Sequence, residues 1–242
     1  MSKSDFFVVE GRLAVEALLD SRSFHVESVL LEEDRHELLR VKLLETGTEF
    51  RIGSRKDLQS EAGYDFHRGV LAWATKPDPQ EASEDELRIA HHLVFPVGLA
   101  DPGNLGTVVR NGVAFGADAI VVERDRGADI WSRKAIRASA TGVFRVPVYA
   151  AVDAGSFIER ARKCGFVIFG TSLSNGARPL EEVDPARQSL LLLGTEKDGL
   201  SQELERLCDE LVRIPMRHGM DSINVGSSSA IMCHHLFQAN AL

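Results

Sequence analysis

Ser189-Leu-Leu-Leu-Leu-Gly194-Thr-Glu196-Lys-Asp-Gly199-Leu200 sets a short leucine run against a polar, glycine-bearing loop. An apolar run this short, closed by turn residues, fits a strand buried on both faces, as in a parallel sheet. The same pattern recurs at residues 93–99, 119–122 and 166–170. Helical periodicity fills the spaces between, over residues 105–115, 132–138, 156–164 and 201–207. Strand–helix alternation of this kind predicts an α/β domain with a central parallel sheet over residues 92–242. Ligands in such sheets lie beyond the carboxyl ends of the strands. Residues 1–76 read differently. Helical stripes at 10–19 and 35–44 mix with strand-like runs at 26–31, 49–52 and 69–74, which predicts a small α+β unit. Residues 77–91 carry Pro77, Pro79 and five acids against one arginine, the composition of a solvated acidic linker.

The 242 residues are 44% hydrophobic and 26% charged, ordinary for a soluble globular chain of one large or two modest domains. No apolar run approaches the roughly 18 residues a membrane span requires. The first residues show no secretion signal. Cys164, Cys208 and Cys233 are odd in number, far apart and without a CxxC pair. That pattern suits a reducing cytoplasm and argues against a disulfide framework or zinc site. His234-His235 beside Cys233 does not suggest a metal, because adjacent residues do not share a helix face and no third ligand is suitably spaced.

Three segments carry the candidate chemistry, and each begins where an apolar run ends. The first is Asp101-Pro-Gly-Asn104-Leu-Gly106-Thr-Val-Val-Arg110. Asp-Pro-Gly-Asn reads as a turn, Asn104 as a cap for the following helix, and Arg110 as a cation about two turns inside it. Turn and cap chemistry explains everything here except Arg110, whose planar fork suits phosphate oxygens. The second is the loop opened by Gly194, where a missing Cβ lets the backbone approach a ligand closely and Gly199 permits a left-handed turn. It is neither a P-loop nor a dinucleotide fingerprint, since GxxxxGK[ST] and GxGxxG are both absent. The third is Ile214-Pro-Met-Arg-His-Gly-Met-Asp-Ser222-Ile-Asn224-Val-Gly226, leading into the last helix. Ser222 and Asn224 fit either as helix caps or as side chains that hold a ligand.

Together and in this order, the three segments resemble the signature motifs of the SpoU-type RNA 2′-O-ribose methyltransferases of the knotted SPOUT superfamily. The segment Ser132-Arg-Lys-Ala-Ile-Arg-Ala-Ser139-Ala-Thr-Gly142-Val-Phe-Arg-Val-Pro147 is similar to the family's stretch between motifs one and two. Glu10-Gly11-Arg12 and His67-Arg68-Gly69-Val70 resemble landmarks of its L30e-like substrate-binding domain. The resemblance implies an α/β domain with a deep trefoil knot over residues 92–242, and an L30e-like RNA-binding unit over residues 1–76. It implies S-adenosylmethionine as cofactor, held by Gly194, Ile214 and Ile223, with Thr171 and Met216 in the same pocket. It implies catalytic roles for Arg110, Asn104, Glu196, Ser222 and Asn224, a homodimer through the last helix and the knot region, and an RNA substrate, ribosomal or transfer. Residues 228–240 offer Ile231, Met232, Leu236 and Phe237 for the interface. Ile223 stands where the family usually has Leu, Gly226 where it often has Ser, and Arg68 where it often has Gln.

The formal net charge of −8 runs against the basic footprint usual for RNA binding. The linker supplies half of it, and the residues after it hold 17 acids against 16 bases. Arg124, Arg126, Arg133, Lys134 and Arg137 form the one basic cluster, either a solvated face or an RNA-docking surface. Phe6-Phe7 and Trp131 could stack bases, although packing in a core or hinge is their expected role. A catalytically degenerate RNA-binding protein of the same fold is the alternative; the intact motif residues argue against it.

Overall fold

The computed structural model describes residues 5–21, 23–174, 176–195 and 197–238. The first part of the chain runs β1 (Phe6–Glu10), α1 (Arg12–Asp20), β2 (Val26–Glu32), α2 (Glu37–Thr46), β3 (Phe50–Gly53), α3 (Arg55–Ala62) and β4 (Val70–Thr75). Its four strands form one sheet in the order β1-β4-β2-β3, antiparallel except for β2 with β3. Alternation sends Val9, Val29, Leu31 and Ala72 to one face, where Val15, Leu18, Leu39 and Leu43 of α1 and α2 cover them. Leu30 and Leu71 point to the other, under Leu58, Ala62 and Phe66 around α3.

The rest of the chain continues α4 (Glu84–Ile89), β5 (His92–Pro96), α5 (Pro102–Ala114), β6 (Ala119–Glu123), α6 (Arg133–Ala138), β7 (Val148–Ala151), α7 (Ala154–Lys163), β8 (Val167–Thr171), β9 (Arg178–Pro179), β10 (Ser189–Leu193), α8 (Gln202–Leu207), β11 (Glu210–Arg213) and α9 (Val225–Leu236). Its seven strands form a wholly parallel sheet in the order β7-β6-β5-β10-β8-β11-β9. The leucine run is its middle strand: all five residues of β10 are buried, with Leu190 opposite Leu93 on one side and Ile168 on the other. Helices on both faces make both sides of each central strand apolar, which is why the run does not alternate.

Residues 77–91 are largely exposed, but they are not without structure. Ser83 and Glu86 form a reciprocal capping box that starts α4, and Ala82 and Leu87 are fully buried in the core beneath the sheet. Three of the five acids that suggested a linker, Glu84, Asp85 and Glu86, occupy the first turn of this helix, where its dipole favours them.

The two sheets meet through aromatic side chains. Phe7 lies 5.5 Å from Trp131 and 6.2 Å from Phe144, ring centre to ring centre, and Phe24 packs edge-on against both Trp131 and Phe144. Arg133 of α6 ion-pairs with the largely buried Glu10 at 2.6 Å and donates to the Ala62 carbonyl at 2.7 Å. Phe7 and Trp131 are therefore packing residues.

Candidate functional site

The loops after β8, β10 and β11 converge beyond the carboxyl ends of those strands on a cavity of about 430 Å³. Thr171, Gly194, Ile214, Met216 and Ile223 all line it, with Ser222 and Asn224 at the same wall. These residues span three separate loops, so folding alone brings them together. Glu196, expected in the middle loop, lies outside the described residues.

Gly194 is required for a reason different from the one its position in a loop suggested. A Cβ built there would stand 2.2 Å from the Gly199 carbonyl carbon and 2.4 Å from the Leu200 nitrogen. The chain folds back on itself: Thr195 and Gly199 exchange two backbone hydrogen bonds of 3.1 Å, and Gly199 adopts φ +67°. The close neighbour of Gly194 is thus its own loop, and that turn shapes the cavity wall.

The first motif also differs in detail. Asp101, not Asn104, caps α5: its carboxylate accepts from Asn104 N at 2.8 Å, and Pro102 follows in the first turn. The Lys134 ammonium, and then the cap itself, hold the Asp101 carboxyl below the usual carboxylate range. Asn104 is therefore inside the first turn of the helix. It accepts from Asn224 Nδ2 at 3.0 Å, while Asn224 Oδ1 caps α9 by accepting from Gly226 N at 2.8 Å. This pair of amides joins the first motif to the third. Asn111, not singled out in the sequence, reinforces the joint by donating to Gly226 O at 2.6 Å and Ser229 Oγ at 2.9 Å. Its spacing of seven from Asn104 puts both on one helix face, the signal that could have found it.

Arg110 stands apart. It is exposed on α5 and does not line the cavity. Six residues separate it from Asn104, which turns it about 120° around the helix. The segment packed on its backbone, Ala140-Thr141-Gly142, holds two consecutive non-glycine residues at positive φ, +47° and +77°. Such strain concentrates at working sites.

The basic cluster is mostly neutralised within the chain. Arg124 pairs with Asp78 at 3.1 Å, Arg126 with Glu123 at 3.5 Å, Arg133 with Glu10, and Lys134 with Asp101. Arg137 is exposed. Three of these carboxylates, Asp78, Glu10 and Asp101, are distant in sequence, so linear clustering concealed them. Among the described residues no group of three His, Cys, Asp or Glu is placed to hold a metal. His234 packs edge-on against Phe115, His235 Nε2 lies 2.7 Å from the Val183 carbonyl, and Cys233 is buried.

The cavity matches S-adenosylmethionine in character. Its volume falls within the range usual for small-ligand sites, and Leu173, Ile214, Met216 and Ile223 give it apolar walls beside backbone-rich turns.

A model of the SpoU rRNA Methylase family matches residues 91–234. The chain is 28% identical over 235 residues to the 23S rRNA (guanosine(2553)-2'-O)-methyltransferase RlmP of Bacillus subtilis, covering 97% of this chain and 90% of that protein. It is 29% identical over 241 residues to the 23S rRNA (guanosine-2'-O-)-methyltransferase RlmB of Acinetobacter baylyi, covering 96% of each. The AdoMet-bound rRNA methyltransferase from Sinorhizobium meliloti is similar with a TM-score of 0.83 and 26% identity, covering 99% of this chain and 89% of that one. The SpoU methyltransferase AviRb from Streptomyces viridochromogenes, at TM-score 0.82 and 24% identity over 99% and 91% of the two chains, shares the fold. Fold, site and relatives define an enzyme that transfers methyl groups from S-adenosylmethionine to RNA ribose 2′-hydroxyls. The chain belongs to the SpoU rRNA methylase family.

Proposed function

We propose that this enzyme methylates a 2′-hydroxyl of ribosomal RNA, and that the cavity between the β8, β10 and β11 loops holds the methyl donor. The observation that carries the site assignment is the convergence of Thr171, Gly194, Ile214, Met216 and Ile223 on one cavity wall. The relatives named for 23S rRNA support ribosomal over transfer RNA. Bound S-adenosylmethionine would supply an electrophilic sulfonium methyl: the ribose oxygen would form the new C–O bond as the C–S bond broke with its electron pair going to sulfur, the hydroxyl proton passing to solvent. Ile214, Met216 and Ile223 exclude water from that carbon. Ser222 and the Asn104–Asn224 pair orient the ribose at the cavity mouth, and Glu196 fixes the middle loop. Arg110, charged and a poor base, lies outside the cavity on α5 and anchors the phosphate of the target nucleotide.

The central position of β10 between β5 and β8, with α9 returning to pack on α5, supports a trefoil-knotted domain over residues 92–242. The mixed four-stranded sheet with helices on both faces supports an L30e-like unit over residues 1–76, joined to it by residues 77–91. Ile231 and Phe115 are exposed beside an apolar groove, which supports a homodimer through α9. Met232, Leu236 and Phe237 do not serve that face, because they are buried within their own chain. Three free cysteines support a cytoplasmic setting, and no helix among the described residues is long and apolar enough to cross a membrane.

The test is methyl transfer from labelled S-adenosylmethionine to ribosomal RNA, with the product ribose mapped by mass spectrometry. Arg110→Lys keeps the charge but loses the bidentate fork. We expect kcat to fall at least about tenfold, as for loss of a charge-assisted hydrogen bond, with donor affinity unchanged by calorimetry. Full activity in this variant defeats the anchoring role; absence of donor binding by the wild type defeats the cavity assignment and favours a non-catalytic RNA-binding protein.

A further inference from the structure

Phe6 and Phe7 are adjacent in sequence but point to opposite faces of β1. Phe7 enters the aromatic junction, while Phe6 is half-buried on the face that α3 only partly covers. There it lines a groove of about 280 Å³ with Trp73, Ser28, Arg51, Glu27 and Glu61. The register explains the grouping: Val8 and Ser28 both lie opposite Trp73, and Arg51 lies opposite Leu30 of the same face. Trp73 packs one side against the cluster under α3 and remains half-buried at the groove.

We propose that this groove stacks an unpaired nucleobase of the RNA substrate on Phe6 and Trp73, as a contact separate from the methylation site. The inference rests on the RNA substrate proposed above. Two aromatic side chains on an open sheet face offer flat surfaces to a base. Glu27, Glu61 and the Ser28 hydroxyl supply acceptors for amino groups on its edge. Arg51 faces the adjoining phosphate. Its pairing with Glu61, at 2.6 Å between side chains 58% and 44% exposed, is a surface pair of small net value and exchanges readily for phosphate.

The test uses the full chain and a short mixed-sequence single-stranded oligoribonucleotide, with an abasic oligonucleotide of the same length as control. Phe6→Ala is expected to weaken binding of the base-bearing probe by roughly five- to a hundred-fold, the range for loss of one stacked base. Phe6→Tyr restores binding, and the abasic probe binds wild type and Phe6→Ala alike. Ultraviolet cross-links from the probe fall on the peptides carrying Phe6 or Trp73. Donor affinity and the melting temperature of Phe6→Ala stay at wild-type values. Unchanged binding by Phe6→Ala together with cross-links confined to other peptides overturns the groove. If the wild type methylates ribosomal RNA while Phe6→Ala binds and methylates equally, the groove alone fails; if the wild type methylates no RNA, the proposed substrate fails first.

Discussion

Gly194 shows how one residue governs a site without touching its chemistry. Its missing Cβ leaves room for the Gly199–Leu200 backbone, and that backbone forms a wall of the cavity. In Gly194→Ala the added methyl meets main chain, so the loop has to open. The strain of overpacking, about 1–3 kcal/mol, should appear as a donor Kd raised roughly five- to a hundred-fold by calorimetry, with the rest of the fold intact by circular dichroism. Donor affinity equal to wild type in this variant would show that the turn does not shape the site. The glycine was legible in the sequence, but its reason was not: a positive φ or a close approach is a property of the folded loop. Asn224 was legible as a cap because Asn before a helix has few other uses. Its second bond, to Asn104, joins residues 120 positions apart and no local pattern announces such a contact. Phe6 and Phe7 illustrate the same limit, since adjacency in the chain means opposition across a sheet.

At the scale of the element, α5 is the part that everything else positions. Asp101 caps it, Lys134 of α6 holds Asp101, and Gly106 lets the two helices touch: a Cβ there would stand 2.3 Å from the Ala135 carbonyl oxygen. Asp101 lies outside the cavity lining, so Asp101→Ala should lower kcat by misaiming the motif while leaving donor affinity unchanged. It should also alter the acid limb of stability. A carboxyl held below its ordinary value of 3.8 stabilises the fold above that value, and this contribution is lost as pH falls through the lower folded-state value. Melting temperatures taken across that window should therefore fall less steeply for Asp101→Ala than for wild type; parallel curves would deny the cap its role. The central strands of the parallel sheet were legible because burial on both faces writes itself as an uninterrupted apolar run. Helix α4 was missed because its acids and the prolines ahead of it mimic a solvated linker, although Ser83 and Glu86 spelled out a capping box.

For the whole molecule, the junction between the sheets decides whether the two parts act together. Trp131 touches Phe7 and Phe24 at the contact, and Arg133 locks the same boundary through Glu10. Removing a buried aromatic of this size costs about 3–5 kcal/mol, so Trp131→Ala should shift the denaturant midpoint by a corresponding amount. It should also separate the unfolding of the four-stranded unit from that of the larger sheet, seen as two transitions. A single unshifted transition would mean that the contact is incidental. The charge pattern belongs to this scale as well. Basic residues counted along the chain suggested a basic face, but four of the five are paired: three with the distant Asp78, Glu10 and Asp101, and Arg126 with the nearby Glu123.

Strand β10 carries a consequence for biosynthesis. Its two neighbours, β5 and β8, begin 97 and 22 residues ahead of it when counted from the partners Ser189↔His92 and Ser189↔Val167. A chain emerging from the ribosome amino-terminus first thus exposes two hydrophobic strand edges before the segment that fills the gap between them has been made. Unpaired edges of this kind invite intermolecular association. The last quarter of the polypeptide thus acts as the closing wedge of its own scaffold.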